Sequence, residues 1–236
     1  MLQEFLTKQG AIMFPWQDGI SISVLKKPKS ILTDPNNKEV IDNIINDLEV
    51  ITTESFGTEL EKQTDDGVRN HVIDVDTLGF IHEQDRILGF ASSRLFPKDK
   101  LFYLHGVAIA KNFKSKGGGT ALVKKLADIA NLPRIAFTTQ NPIMFRLLRN
   151  LCSEVYPYPE RKKIPKEIKI LGKRIIDGRS NGLDRETLVV DQLYGRCLYN
   201  KIPDCHDRII NQWFEKSLSI KNGITRNAFL FIGNRK

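Results

Sequence analysis

Six residues in a row, Lys114-Ser115-Lys116-Gly117-Gly118-Gly119, followed by Thr120, are the part of this chain whose types and spacing could do chemistry. Successive glycines let the backbone turn sharply and approach a ligand with no side chain between. The run TALVKKLADIA that follows places Leu122, Val123, Leu126 and Ile129 at helical spacing, so free amides and the positive end of a helix dipole would face whatever the turn holds. With two lysines and the Thr120 hydroxyl beside them, that chemistry is anion binding, and the natural anion is a phosphate.

Two familiar phosphate loops fail letter by letter. A nucleoside triphosphate loop needs Lys-Ser/Thr directly after its last glycine, and here Gly119 is followed by Thr120 and Ala121. The dinucleotide fingerprint needs a third glycine where Leu122 stands and an acidic residue closing the next strand, which here ends in Gln140 and Asn141. A third pattern fits. The segment resembles the acetyl-coenzyme A motif of the GNAT superfamily of N-acetyltransferases, Gln/Arg-x-x-Gly-x-Gly/Ala after an apolar strand, with Lys114 where the family has Gln or Arg.

The elements around the turn point the same way. GISISVLKKP from Gly19 alternates as a strand does, and Asp34-Pro35 reads as the start of a long helix through Phe56 with Val40, Ile41, Ile44, Ile45 and Leu48 on one face. A polar loop around Gln63 to Gly67 leads into TLGFIHE, the turn Gln84-Asp85-Arg86 and ILGFASSRLF, an antiparallel hairpin, with LFYLHGVAIA as the third strand. After the glycine turn and its helix come a strand over Arg134 to Thr139 and a helix with Asn141 as cap and Pro142 in the first position. Strand, helix, three strands, turn, helix, strand, helix is the GNAT order over roughly residues 19 to 152. It implies an α/β (α+β) GNAT acyl-CoA N-acyltransferase fold, a mixed, mostly antiparallel central sheet flanked by helices.

The resemblance implies roles for named residues. Backbone groups at Val107 and Ile109 would bond the pantetheine arm, and Lys114, Ser115, Lys116, Gly117, Gly118, Gly119 and Thr120 would hold the pyrophosphate. Asn141 opens the family's Asn-x-x-Ala-x-x-x-Tyr segment, and Leu148 stands where that Tyr, often the general acid, would fall; Tyr156, Tyr158 and Tyr194 offer no evident substitute. An ammonium with a pKa of about 10 must lose a proton before it attacks a thioester. Tyr103, His105, Val107 and Ile109 project from one strand face. His105 and Tyr103 sit where family members place a catalytic histidine or glutamate; the alternatives are a core histidine with bulk water as base, and His82-Glu83 in reserve.

The 236 residues, 41% hydrophobic, suit one domain, with the motif-bearing core followed by an extended part over 153–236 and an insertion before a last strand at NAFLFIGN. From Glu160 to Arg185 the chain reads as a basic, loop-rich segment, nine Lys or Arg against four Asp or Glu, then strand-like TLVVDQLYG and the helix HDRIINQWFEKSL. The net charge of +8 fits polyanionic coenzyme A, a nucleic-acid acceptor or a basic surface; aromatics that would stack on bases are absent from the basic segment. Cys152, Cys197 and Cys205 lack metal-ligand or disulfide spacing, and Cys205-His206 are adjacent only in sequence, so reduced thiols and no metal are expected. No signal pattern or membrane-length apolar run is present, which predicts a cytoplasmic protein. The sequence thus points to an N-acetyltransferase using acetyl-CoA on a primary amine, or to a coenzyme-binding sensor or nucleic-acid-associated protein on the same fold.

Overall fold

Apolar spacing of three and four over the first residues, Leu2, Phe5 and Leu6, already makes a helix, α1 (Leu2–Lys8), in the computed structural model, which describes the chain except residues 18, 58–66, 161–162, 178–181 and 195. The chain divides into two compact units, residues 1–96 with 102–131, and residues 97–101 with 132–236.

The first unit continues with β1 (Ile12–Gln17), β2 (Ile20–Lys26), α2 (Lys29–Leu32), α3 (Lys38–Phe56), α4 (Gly67–Ile73), β3 (Thr77–Glu83), β4 (Arg86–Phe96), β5 (Leu101–Ile109) and α5 (Gly118–Ala130). Strands β1 to β5 lie in sequence order, and the first three pairings are antiparallel. The hairpin turns at Gln84 and sets Phe80 opposite Phe90. β1 carries Pro15, tolerable because the strand is at the sheet edge.

Asp34 caps a short 3-10 turn over Pro35–Asn37, and the long helix begins only at Lys38. It buries Ile41, Ile44, Ile45, Leu48 and Ile51, leaves Val40 half-buried, and ends at Gly57 in the left-handed region. Helix α5 buries Leu122, Val123 and Leu126 against the sheet; a Cβ on Gly79 of β3 would stand 2.4 Å from Leu126 Cδ1. Of the loop expected at Gln63 to Gly67, residues 63–66 lie outside the described residues, and Gly67 opens α4.

The second unit holds β6 (Arg134–Thr139), α6 (Pro142–Leu151), β7 (Cys152–Tyr156), α7 (Lys166–Ile176), β8 (Val189–Val190), α8 (Arg208–Ser217) and β9 (Ala228–Arg235). β9 pairs antiparallel with β6, β7 and β8. Its core is aromatic: Phe231 meets Phe137, Phe145, Trp213, Phe214 and Phe229 at centroid distances of 5.1–6.0 Å.

Two expectations for this unit are corrected. The basic segment forms a helix where described, α7, because Ile168, Leu171, Ile175 and Ile176 recur on one face among the lysines. Two of its cations are paired, Lys169 with Glu186 and Arg174 with Asp99 at 2.5 Å. Of the strand-like stretch at 187–195, the described residues form strand only at Val189–Val190, since Asp191 donates back to Gly182 O and Gln192 has φ +44°.

Candidate functional site

The glycine turn joins β5 to α5 within the first unit. A 3-10 turn over Lys111–Phe113 precedes it, with the Lys111 amide donating to Glu54 Oε2 at 3.1 Å. Lys114 Nζ donates to Ser55 O at 3.1 Å and Glu54 O at 3.4 Å, carbonyls of the last turn of α3. Removal from water pushes the Lys114 pKa down; the Glu54 carboxylate opposes this and Lys111 adds to it. Lys116 lies over the Phe113 ring, 5.3 Å from its centroid.

The three glycines serve three different ends. Gly117 has φ +82°, the left-handed conformation that turns the chain into α5, and a Cβ on it would meet open space. Gly118 is buried, and its Cβ would stand 2.7 Å from Phe113 Cε1 and 3.2 Å from Ile81 Cδ1. Gly119 would only touch Ile109, at 3.4 Å. The first helical bond of α5 runs from the Ala121 amide to Gly117 O at 3.0 Å, so the amides of Gly118, Gly119 and Thr120 precede the helical ladder and point out of its N-terminus. Gly118→Val should therefore destabilise the first unit by about 1–3 kcal/mol through overpacking, read as a lower urea midpoint with an unchanged slope.

Along β5 the expected face differentiates. Tyr103 is buried and packs edge-on against Phe96, with centroids 6.3 Å apart. His105, Val107 and Ile109 are half-buried. The His105 ring stacks at 4.8 Å, tilted by 39°, on that of His71, which α4 supplies. His82 is removed from the list of bases: it is 1% exposed, its Nδ1 donates to Gln84 O at 2.8 Å, and its Nε2 accepts from Ser23 Oγ at 2.8 Å, so both nitrogens serve the hairpin.

In the second unit Asn141 caps α6, its Oδ1 accepting from the Ile143 amide at 2.9 Å. Its Nδ2 donates to Tyr199 Oη at 3.3 Å. Tyr194 lies beside the end of β6, its hydroxyl 3.0 Å from Thr138 Oγ1. Gln140, fully buried, donates to Thr225 O and accepts from the Leu198 amide, fixing the segment that carries both tyrosines. Burial pushes the Tyr199 phenol up to about 12, against the Asn141 bond and with the Cys197 thiol, which keeps it protonated at neutral pH. Tyr156 and Tyr158 lie elsewhere, beside Glu154 and Phe145. Leu148 is fully buried in the core. Sequence reasoning missed Tyr199 because only the fold brings it beside Asn141, 58 positions away.

Cys205 Sγ donates to Asp207 O at 3.5 Å, a local loop contact, and all three cysteines are free thiols. Burial pushes the Cys152 thiol up to about 12. Among the described residues no group of three or more His, Cys, Asp or Glu side chains is placed to hold a metal ion, and no helix is long and apolar enough to cross a membrane.

Residues 41–147 match the model of the acetyltransferase (GNAT) family. The match spans somewhat under half of the chain. It contains Tyr103, His105, the glycine turn and Asn141, whereas Tyr194 and Tyr199 fall beyond its end. No curated protein matches the chain in sequence. Solved structures similar to it include an IAA acetyltransferase from Bacillus cereus ATCC 14579, with 9% identity and a TM-score of 0.45 over 91% of this chain and 99% of that one. Tetrahymena GCN5 is 14% identical, with a TM-score of 0.44 over 65% and 88%. The ribosomal-protein-S18-alanine N-acetyltransferase from Escherichia coli is 9% identical, with a TM-score of 0.40 over 57% and 80%.

Proposed function

We propose that this protein is a GNAT-family N-acetyltransferase that moves the acetyl group of acetyl-CoA to a primary amine by direct attack. The observation that carries the reading is the junction of β5 and α5, where left-handed Gly117 aims the amides of Gly118, Gly119 and Thr120 outward from a helix N-terminus. Those amides hold the pyrophosphate, with Lys116 adding attraction. Backbone groups of Val107 and Ile109 hold the pantetheine arm as an added strand would.

His105 takes the proton that the substrate ammonium must lose. The neutral nitrogen attacks the thioester carbon, and a backbone amide near Ile109 stabilises the oxyanion. The C–S bond then breaks, the sulfur takes up the proton that the attacking nitrogen gives up, and amide and free coenzyme A leave. Acceptor classes to screen are small amines, protein N-termini and lysines, and the amines of aminoacyl or nucleobase groups on RNA, the last because of the +8 charge.

A second reading, a coenzyme-binding protein without catalysis, draws support from Leu148, a core side chain where the family's acid would stand. Thermal unfolding with acetyl-CoA, beside Gly119→Glu, tests the binding half. That substitution sets a carboxylate among the phosphate amides, yet an acidic residue suits a helix's first turn and the fold should persist. At a hundred times its dissociation constant the coenzyme should add about 2.7 kcal/mol of stability to the wild type and little to the variant. No shift at millimolar coenzyme sinks both readings; a shift without amine-dependent thiol release selects the second.

A further inference from the structure

Trp16 has no part in the family motif, yet the fold brings it beside the glycine turn. The register of β1 on β2 steps from Pro15 opposite Ser21 to Gln17 opposite Ile20, so Trp16 is the extra residue of a β-bulge at the sheet edge. A bulge of this kind re-aims a side chain. The indole is half-buried and meets the ring of Phe113 at 5.9 Å and 78°. That contact is perpendicular, so Phe113 holds the indole without stacking on it. Phe113 is itself fixed at the start of α5: its ring is what a Cβ on Gly118 would strike, and Lys116 Nζ lies 5.3 Å from its centroid. Two residues earlier on β1, Phe14 is covered by Lys125 of α5, whose Nζ stands 4.0 Å from the ring centroid. The helix therefore caps the first ring, while the ring at the bulge meets the turn that precedes the helix.

We propose that Trp16 is the platform on which the adenine ring of coenzyme A stacks, with Phe113 setting the angle of the indole. This rests on the coenzyme reading above, in which the amides of Gly118, Gly119 and Thr120 hold the pyrophosphate. Adenine is joined to that pyrophosphate through a single ribose, so it comes to rest close to the turn. Trp16 is an aromatic side chain at that distance, since it and the Lys116 ammonium both lie against the ring of Phe113. An indole face stacks on a base without any hydrogen-bond readout. The group received here is a neutral ring rather than a further phosphate, because Glu83 Oε1 stands 3.9 Å from where Gly19, three residues past Trp16, would carry a Cβ. A carboxylate there repels another anion and leaves an uncharged base undisturbed. Trp16 thus governs affinity for the nucleotide end of the coenzyme and touches no reacting atom, the thioester being at the other end.

The test uses coenzyme A and the two halves obtained by splitting its pyrophosphate, phosphopantetheine and adenosine bisphosphate. Each is titrated by calorimetry and by tryptophan fluorescence into the wild type, Trp16→Phe and Trp16→Leu. Coenzyme A and the bisphosphate should quench part of the wild-type emission, and phosphopantetheine should not. The quenching should vanish in Trp16→Phe, where Trp213 remains as an internal control. Trp16→Leu should bind coenzyme A about tenfold more weakly, within the range for stacking a base on an aromatic side chain, and bind phosphopantetheine as the wild type does. Trp16→Phe keeps a ring, so it should lose less, and its fluorescence decides the matter should Trp16→Leu not fold. Equal losses for coenzyme A and phosphopantetheine in Trp16→Leu overturn the proposal. Coenzyme A that binds with Trp16 emission unchanged also overturns it and leaves the acyltransferase reading standing. Coenzyme A that quenches Trp16 but binds no more tightly than the bisphosphate has no held arm, so that reading fails while the adenine platform stands. If none of the three binds at millimolar concentration, both fail.

Discussion

Changing His105 to Ala is expected to lower turnover by about 10²–10⁴-fold, the usual loss when a positioned general base is removed, while binding of acetyl-CoA changes little. The separation of the two effects follows from place. His105 sits on β5 four residues before Ile109, whereas the amides proposed to hold the phosphate begin at Gly118, beyond the strand and a 3-10 turn. The half-buried ring is also neither fully dry nor fully bathed, so bulk water is a poor replacement for it. Steady-state kinetics with saturating coenzyme, beside coenzyme affinity from thermal shifts, reads both quantities. Turnover that is unchanged at every pH would make His105 a packing residue and leave water as the base.

Phe231→Ala should cost about 3–5 kcal/mol, the range for deleting a buried aromatic ring. The ring is fully buried at the centre of β9 and touches five other aromatic rings drawn from β6, α6, α8 and β9 itself. None of these can collapse into the gap without leaving its own neighbours, so the cavity persists. Phe231→Leu keeps part of the volume and should lose clearly less. Urea unfolding followed by tryptophan fluorescence is suited to the measurement, since Trp213 stacks on Phe229 at 4.5 Å inside the same cluster. Equal losses for Ala and Leu would mean that edge-to-face geometry, rather than filled volume, carries the stability.

What the sequence made legible was local. The hairpin over 77–96, the strand into the glycine turn, and the Asn141-Pro142 helix start each announce themselves within ten residues or so, through alternation, turn chemistry or a cap. Other elements were masked by a contradicting neighbour: Pro15 hides β1, and the lysines of α7 hide its apolar stripe. The site divides in the same way. The candidate glycines stand out by their run and the β5 residues by the resemblance together with their shared strand face, but the separate packing of each could not be read, because Gly118 answers to Phe113 and Ile81 and Lys114 to the end of α3. His71 and Tyr199 left no signal, since each gains its meaning only from a partner 34 or 58 positions away.

The grip of Lys114 on the last carbonyls of α3 has an electrostatic corollary for the loop that carries it. A helix presents its negative end at those carbonyls, and an anion seated before α5 would feel that end as well as the attractive one. The lysine stands as a counter-ion at the repulsive pole, so a phosphate seated as proposed would meet the favourable half of the field. Three compact N–H donors suit two neighbouring carbonyls at 3.1 and 3.4 Å better than a flat guanidinium built to grip a carboxylate or phosphate side-on. An ammonium at this position is thus suited to insulating two opposed dipoles from each other, a duty distinct from grasping the ligand.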